Sequence, residues 1–155
     1  DNILRLMHRR YDRSLFAERV NTIRQLMPHA FIGVDVMVGL RGETTDMFTD
    51  SMDFISHLSV SQLHVFTYSE RQNTRMLAID YVVPPAERQR RSKLMHELSD
   101  RLHTHFIDRQ RGQTATVLWE AKRQGGNMAG FTENYIRVTA PYDASRINTF
   151  QHITI

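Results

Sequence analysis

The chain has 155 residues, of which 41% are hydrophobic, and a formal net charge of +3 at pH 7. These values fit one globular domain, or a part-domain with a small module, and the mild basic excess favours an acidic partner such as RNA only weakly. There is no cysteine, which excludes a disulfide framework, a cysteine-held zinc ion and a thiolate-held iron–sulfur cluster within this chain. No apolar run reaches the roughly 20 residues of a membrane helix, and no signal peptide is visible, so we expect a cytoplasmic protein with no membrane partner.

The first predicted elements are helical. Ile3 and Met7 have the spacing of a short helical turn. A longer amphipathic helix is predicted over 12–27, because its apolar residues recur at helical period. Asp12 can cap this helix by accepting from free backbone amides, and Pro28 ends it.

The stretch from Phe31 to Val38 is apolar except for Gly33 and Asp35, and a glycine-rich turn over 39–43 follows it. An apolar strand, a glycine turn and then a helix are typical of a parallel strand buried on both faces. In such sheets ligands lie outside the carboxyl ends of the strands, so a functional site is expected after Val38. The alternative is that the glycines only permit a tight turn.

A helix over 44–58, a strand over 62–68 and a basic helix over 85–108 are predicted next. This order predicts right-handed βα repeats with a parallel sheet, and therefore an α/β fold. The basic side chains of the last helix face either solvent or RNA. We interpret His64 as a core histidine, and His103 and His105 lie on different faces of a helix, so no zinc site is predicted.

The pattern changes near residue 111, where we place the boundary between a first domain, 1–110, and a second domain, 111–155. Short alternating stretches around 115–119, 128–132 and 135–139 are separated by turn signals. Several short strands with glycine turns suggest a small all-β barrel. Trp119 alternates with the apolar Val117, so we predict that it belongs to the core.

Four motifs, in order along the chain, resemble those of the methylthiotransferases within the radical S-adenosylmethionine superfamily. ILRLMHRRY at 3–11 resembles the segment after the family's fourth strand, GVDVMVGLRGET at 33–44 its fifth-strand motif, and HVFTYSERQNT at 64–74 its sixth-strand motif. GFTENYIRV at 130–138 resembles the signature of the small TRAM barrel that ends those proteins. The resemblance implies the C-terminal portion of a partial (β/α) barrel followed by a TRAM barrel. The sequences of these motifs are most similar to those of the branch that acts on threonylcarbamoyladenosine beside the tRNA anticodon.

The resemblance also implies the chemistry of the whole enzyme. Such an enzyme inserts a methylthio group into an unreactive C–H bond, using S-adenosylmethionine and two iron–sulfur clusters. The family's cluster cysteines precede the matched region, so this chain is expected to ligate no cluster and to need the rest of the enzyme as a partner. The residues expected beside the cofactor are Arg10, Val36, Val38, Gly39, Val65, Phe66 and Tyr68. A guanidinium matches a carboxylate, which assigns Arg10 to the cofactor's carboxylate, while Val36 and Val65 could equally be core alone.

The barrel is expected to bind the tRNA anticodon stem-loop, with basic groups on phosphate and aromatic faces on bases. The residues expected to contact RNA are Lys122, Arg123, Asn134, Tyr135 and Arg137. For Tyr135, a place in the barrel core is an equal alternative.

Three positions depart from the family pattern, since Arg41, Thr67 and Gln72 stand where prolines are usual. Proline fixes φ, so looser turns are predicted, and the substrate branch stays open. Two other functions remain possible, a non-catalytic RNA-binding module and a methylthiotransferase acting on a ribosomal protein. An unpaired strand edge before Phe31 also predicts a homodimer of the chain.

Overall fold

The computed structural model describes residues 1–155, which form four α-helices, two short 3₁₀ helices and six strands in two sheets. They group into two compact units, Asp1–His105 and Phe106–Ile155. The mixture of helix and sheet confirms the coarse α/β prediction. None of the helices combines the length and the apolar character that crossing a membrane requires.

The first unit follows the predicted order of helices and strands. Its elements are α1 (Asn2–Leu6), α2 (Arg13–Leu26), β1 (Gly33–Val38), α3 (Thr45–Ser56), β2 (Gln62–Thr67) and a 3₁₀ turn (Arg75–Ala78), after which α4 (Pro85–Gln110) begins. The predicted cap of α2 is confirmed, because the Asp12 carboxylate accepts from the Leu15 amide at 2.9 Å. Thr44 caps α3 in the same way, with its hydroxyl accepting from the Met47 amide.

Strands β1 and β2 are parallel, with Val36 opposite Val65 and Met37 opposite Phe66. The prediction that β1 is buried on both faces is wrong. The valines of β1 pack on the core of the unit, whereas Gly33, Asp35 and Met37 are exposed, because the core covers only one face of this two-stranded sheet. The core interpretation of His64 is wrong for the same reason, since His64 lies on the exposed face opposite Asp35.

The two edges of this sheet differ. On the outer side of β2, the buried Ser99 hydroxyl accepts from the Leu63 amide at 3.0 Å and donates to the Leu63 carbonyl at 3.1 Å. This side chain of α4 occupies the hydrogen-bonding positions that another strand would use. The outer side of β1 has no strand partner. The edge expected to recruit a partner is therefore that of β1, and the homodimer stays a prediction.

The second unit contains an antiparallel sheet with the strand order β5-β4-β3-β6. Its strands are β3 (Thr114–Gln124), β4 (Asn127–Thr132), β5 (Arg137–Pro141) and β6 (Phe150–Thr154). The sheet curls into a half-barrel, and its last strand was not predicted. Trp119 is 2% exposed and packs with Val117 and Met128, which confirms its place in the core.

Candidate functional site

The glycine-rich turn after β1 is closed by its own side chains. Gly39 has a φ of +77°, and a Cβ added there would lie 2.6 Å from the Cγ of Arg88. Glycine is therefore required both for the backbone conformation and for the close approach of Arg88. The Gly39 amide donates to Oε2 of Glu43 at 2.6 Å, which fixes the turn from inside.

A buried ion pair holds this turn against α4. Glu43 is 3% exposed and Arg91 is fully buried. Nη1 of Arg91 donates to the backbone carbonyl and to Oε2 of Glu43, both at 2.8 Å, and its Nε donates to Glu87 at 2.9 Å. The expectation that the basic side chains of α4 face solvent or RNA is wrong for Arg91, because its guanidinium is directed into the protein.

Hydrogen bonds within this cluster also shift the pKa values of its side chains. Burial by itself lowers the pKa of Arg91, but hydrogen bonds to Glu87 and Glu43 outweigh it and raise that pKa above its usual value. Hydrogen bonds from Arg90 and then Arg91 lower the pKa of Glu87 to about 2. Arg91 and Glu87 are therefore both charged at neutral pH.

Arg41 ties the same turn to the loop that follows β2. Its Nη1 donates to the carbonyls of Leu77 and Ile79, both at 3.0 Å, and its Nε donates to Glu70 at 3.0 Å. The looser turn expected from the loss of a proline stays a prediction, but the Arg41 guanidinium restrains the turn with three hydrogen bonds. The hydrogen bond between Arg41 and Glu70 raises the pKa of the arginine and lowers the pKa of the glutamate.

Tyr68 lies where β2 ends. Its amide donates to the Val38 carbonyl at 2.9 Å, and the guanidinium of Arg88 lies 5.4 Å from the centre of its ring. The Tyr68 hydroxyl is buried and makes no hydrogen bond. A buried hydroxyl without a partner is destabilising, and a bound polar atom that paired with it would gain a hydrogen bond.

A cavity of about 660 Å³ lies along β1. Of the residues expected beside the cofactor, Val36, Val38 and Phe66 line it. The others lie elsewhere: Val65 packs on the core, Gly39 faces Arg88, Tyr68 lies at the end of β2 and Arg10 is exposed. Asp35 and Met37 also line the cavity, although strand alternation places them on the face opposite to the valines, so alternation alone would not have grouped them with Val36.

The size and lining of the cavity can be compared with what S-adenosylmethionine, the cofactor implied by the resemblance, requires. Its volume lies within the range of about 300–1,000 Å³ that small-molecule pockets occupy. Phe66, which is 52% exposed, can provide the apolar contact that an adenine ring needs, whereas Val38 is buried in the core of the unit. The chain supplies no thiolate for a cluster, because it has no cysteine. No group of three or more histidine, aspartate or glutamate side chains is arranged to hold a metal ion.

In the second unit, the residues expected to contact RNA are mostly exposed. Tyr135 is 68% exposed and has a φ of +63°, so the core alternative for it is wrong. Arg123 lies over the Tyr142 ring at 5.0 Å, while Lys122 and Arg137 are exposed. Asn134 is half-buried and accepts a hydrogen bond from Thr132, which gives it a role in the turn before β5.

No family model matches the chain. The chain is 28% identical, over 99% of its length, to the tRNA-2-methylthio-N(6)-dimethylallyladenosine synthase of Aliarcobacter butzleri. It is 30% identical, over 89% of its length, to the threonylcarbamoyladenosine tRNA methylthiotransferases MtaB of Bacillus subtilis and Aquifex aeolicus.

The chain covers 36% of the first of these proteins and 32% of the other two, so it spans about a third of the length of the curated relatives it matches. The dimethylallyladenosine synthase and the threonylcarbamoyladenosine methylthiotransferases match this chain with similar identity, which leaves the substrate branch undecided. The four motifs and these similarities agree. Most of the chain is thus similar to tRNA methylthiotransferases, which supports its interpretation as a C-terminal fragment of such an enzyme.

Proposed function

We propose that this chain is the part of a tRNA methylthiotransferase that binds the anticodon stem-loop and forms one wall of the S-adenosylmethionine pocket. The observation that supports this most strongly is the similarity to such enzymes along 99% of the chain. The reaction, methylthiolation of a modified adenosine next to the anticodon, belongs to the whole protein, whose other part carries the iron–sulfur clusters. The sequences of the motifs favour threonylcarbamoyladenosine as the nucleoside that is modified.

The proposed share in cofactor binding lies at the first unit, interpreted as the end of a partial (β/α) barrel. The cavity along β1 is lined by the half-buried Val36 and by Phe66, whose exposed ring offers an apolar surface for adenine. S-adenosylmethionine supplies a radical in enzymes of this superfamily, and this chain would hold only its adenosine side. Calorimetric titration of the chain should show weak, saturable binding of S-adenosylmethionine that Phe66→Ser reduces. Absence of heat at millimolar cofactor, or an unaffected variant, would contradict this share.

The proposed share in RNA binding lies at the second unit, interpreted as a TRAM barrel. Lys122 and Arg123 are adjacent and exposed near the turn between β3 and β4. Cations that neutralise phosphates release counterions, so each contact makes the binding constant more sensitive to salt. This property separates a phosphate contact from a structural role, because a structural role leaves the salt dependence unchanged.

Replacing both Lys122 and Arg123 by alanine should weaken binding of a labelled anticodon stem-loop and reduce its salt dependence. Two lost phosphate contacts would lower the slope of log affinity against log salt by about 1.4–1.8. The matched control is Lys93→Ala with Arg101→Ala, which removes two exposed cations from the first unit. Fluorescence anisotropy at several salt concentrations measures both slopes. A salt slope for Lys122→Ala with Arg123→Ala equal to that of the wild type would remove both residues from the interface.

A further inference from the structure

An exposed row of side chains crosses the outer face of the sheet in the second unit. Leu118 on β3 is directly opposite Phe131 on β4 and Phe150 on β6. Phe131 is in turn opposite Arg137 on β5. Directly opposite residues share a face of a sheet, so these four side chains form one line across all four strands. We call this line the aromatic row.

The aromatic row is not part of the core. The opposite face of the sheet holds the buried Val117 and Trp119. In contrast, Phe131 is 39% exposed, Leu118 41% and Phe150 73%. Contiguous exposed apolar side chains usually mark a binding surface, whereas single ones need no explanation. The apolar part of the row is therefore a candidate contact surface.

The geometry of the row suits flat rings. Neighbouring strands lie about 4.8 Å apart, so Phe131 and Phe150 are roughly 10 Å apart with Leu118 between them. Next to the row on the same face, the Thr116 hydroxyl and Nδ1 of His152 are within hydrogen-bond distance at 3.2 Å. The apolar strip is thus bounded by polar groups and by the Arg137 cation at one end.

We propose that the aromatic row binds unpaired bases of single-stranded RNA, with bases stacked on Phe131 and Phe150 and a phosphate beside Arg137. This inference rests on the proposed function and identifies the surface that would bind the unpaired bases in the loop of the RNA substrate. Surfaces that bind single strands combine aromatic faces with cationic groups in this way. Residues 106–155 contain six arginine or lysine residues and four acidic ones, an excess that favours an anionic partner. A second copy of the chain would bring the same cation to the contact, which disfavours self-association.

The test is binding of the labelled anticodon stem-loop to the full chain and to variants with Phe131→Ser or Phe150→Ser. Each variant should bind about tenfold more weakly, the change that about 1.4 kcal/mol of lost stacking produces. The salt slope should stay unchanged, because no charge is removed. Phe150→Tyr, which keeps an aromatic face, should restore binding, and a fully paired duplex should be bound equally by wild type and both serine variants.

The control is Leu26→Ser, which removes a side chain that is 78% exposed on α2 in the first unit. An equal loss of binding in this control would overturn the inference. Unchanged stem-loop affinity in Phe150→Ser would also overturn the inference. If the wild type still bound the stem-loop in a salt-sensitive way, the proposed function would stand without the aromatic row. No binding by the wild type would overturn both. A wild-type mass of twice 18.2 kDa that Phe150→Ser returns to one chain would assign the row to self-association instead.

Discussion

Replacing Arg91 by alanine is expected to lower the free energy of unfolding by about 3–5 kcal/mol, because the substitution leaves a buried carboxylate without its cation. Glu43 is 3% exposed, and its side chain closes the turn after β1 through the Gly39 amide. Its hydrogen bonds to Arg91 connect that turn to α4. Loss of Arg91 therefore leaves the Glu43 carboxylate buried without a cation, and the entry of water to hydrate it opens the turn.

Arg90→Ala is the matched control for this experiment. Arg90 is the neighbouring residue and also donates to Glu87, but its side chain is 52% exposed. An exposed ion pair contributes only about 0–1 kcal/mol, so the control should remain close to wild type. Urea unfolding followed by circular dichroism measures both variants. Similar midpoints for the two would mean that the buried pair does not hold the turn.

Replacing Gly130 by alanine is expected to destabilise the second unit by about 1–3 kcal/mol or more, as overpacking of a close contact does. A Cβ at this position would lie 2.5 Å from Cγ1 of Val117 and 2.6 Å from the backbone oxygen of Leu118. The oxygen belongs to the adjacent strand and cannot rotate away, so β4 would have to move from β3. The Trp119 ring, 3.0 Å from the same point, prevents relaxation towards the core.

Thr139→Ala on the neighbouring strand β5 is the control for Gly130→Ala, because Thr139 is exposed and its substitution adds no atoms. Hydrogen exchange at the amides of β3 and β4 should be faster in Gly130→Ala and unchanged in the control. Wild-type protection of those amides in Gly130→Ala would show that the two strands are not in the close contact described.

Local patterns were sufficient to predict the longer helices of the first unit and the Asp12 cap of α2. The 3.6-residue period identified α2, and Asp12 is a cap that acts within its own turn. The burial of Trp119 followed from alternation with Val117. These features depend on residues close in sequence, which is why single-sequence reasoning identified them.

The features that were missed depend on contacts distant in sequence. Arg91 looked like one charge of a solvated helix face, because its partner Glu43 is 48 positions away. The sequence of β1 predicted a strand buried on both faces. An apolar run does not reveal whether other helices or strands cover each face of the sheet. The aromatic row needs the register of four strands, and β6, which supplies Phe150, was not predicted.

This chain is proposed to hold the RNA-engaging part of a tRNA methylthiotransferase. The most direct measurement is binding of a labelled tRNA anticodon stem-loop at two salt concentrations, against a scrambled hairpin of equal length. We predict preference for the stem-loop and weaker binding at the higher salt concentration. Equal, weak binding to both hairpins would contradict the claim, because the basic charge of the chain would then act only generically.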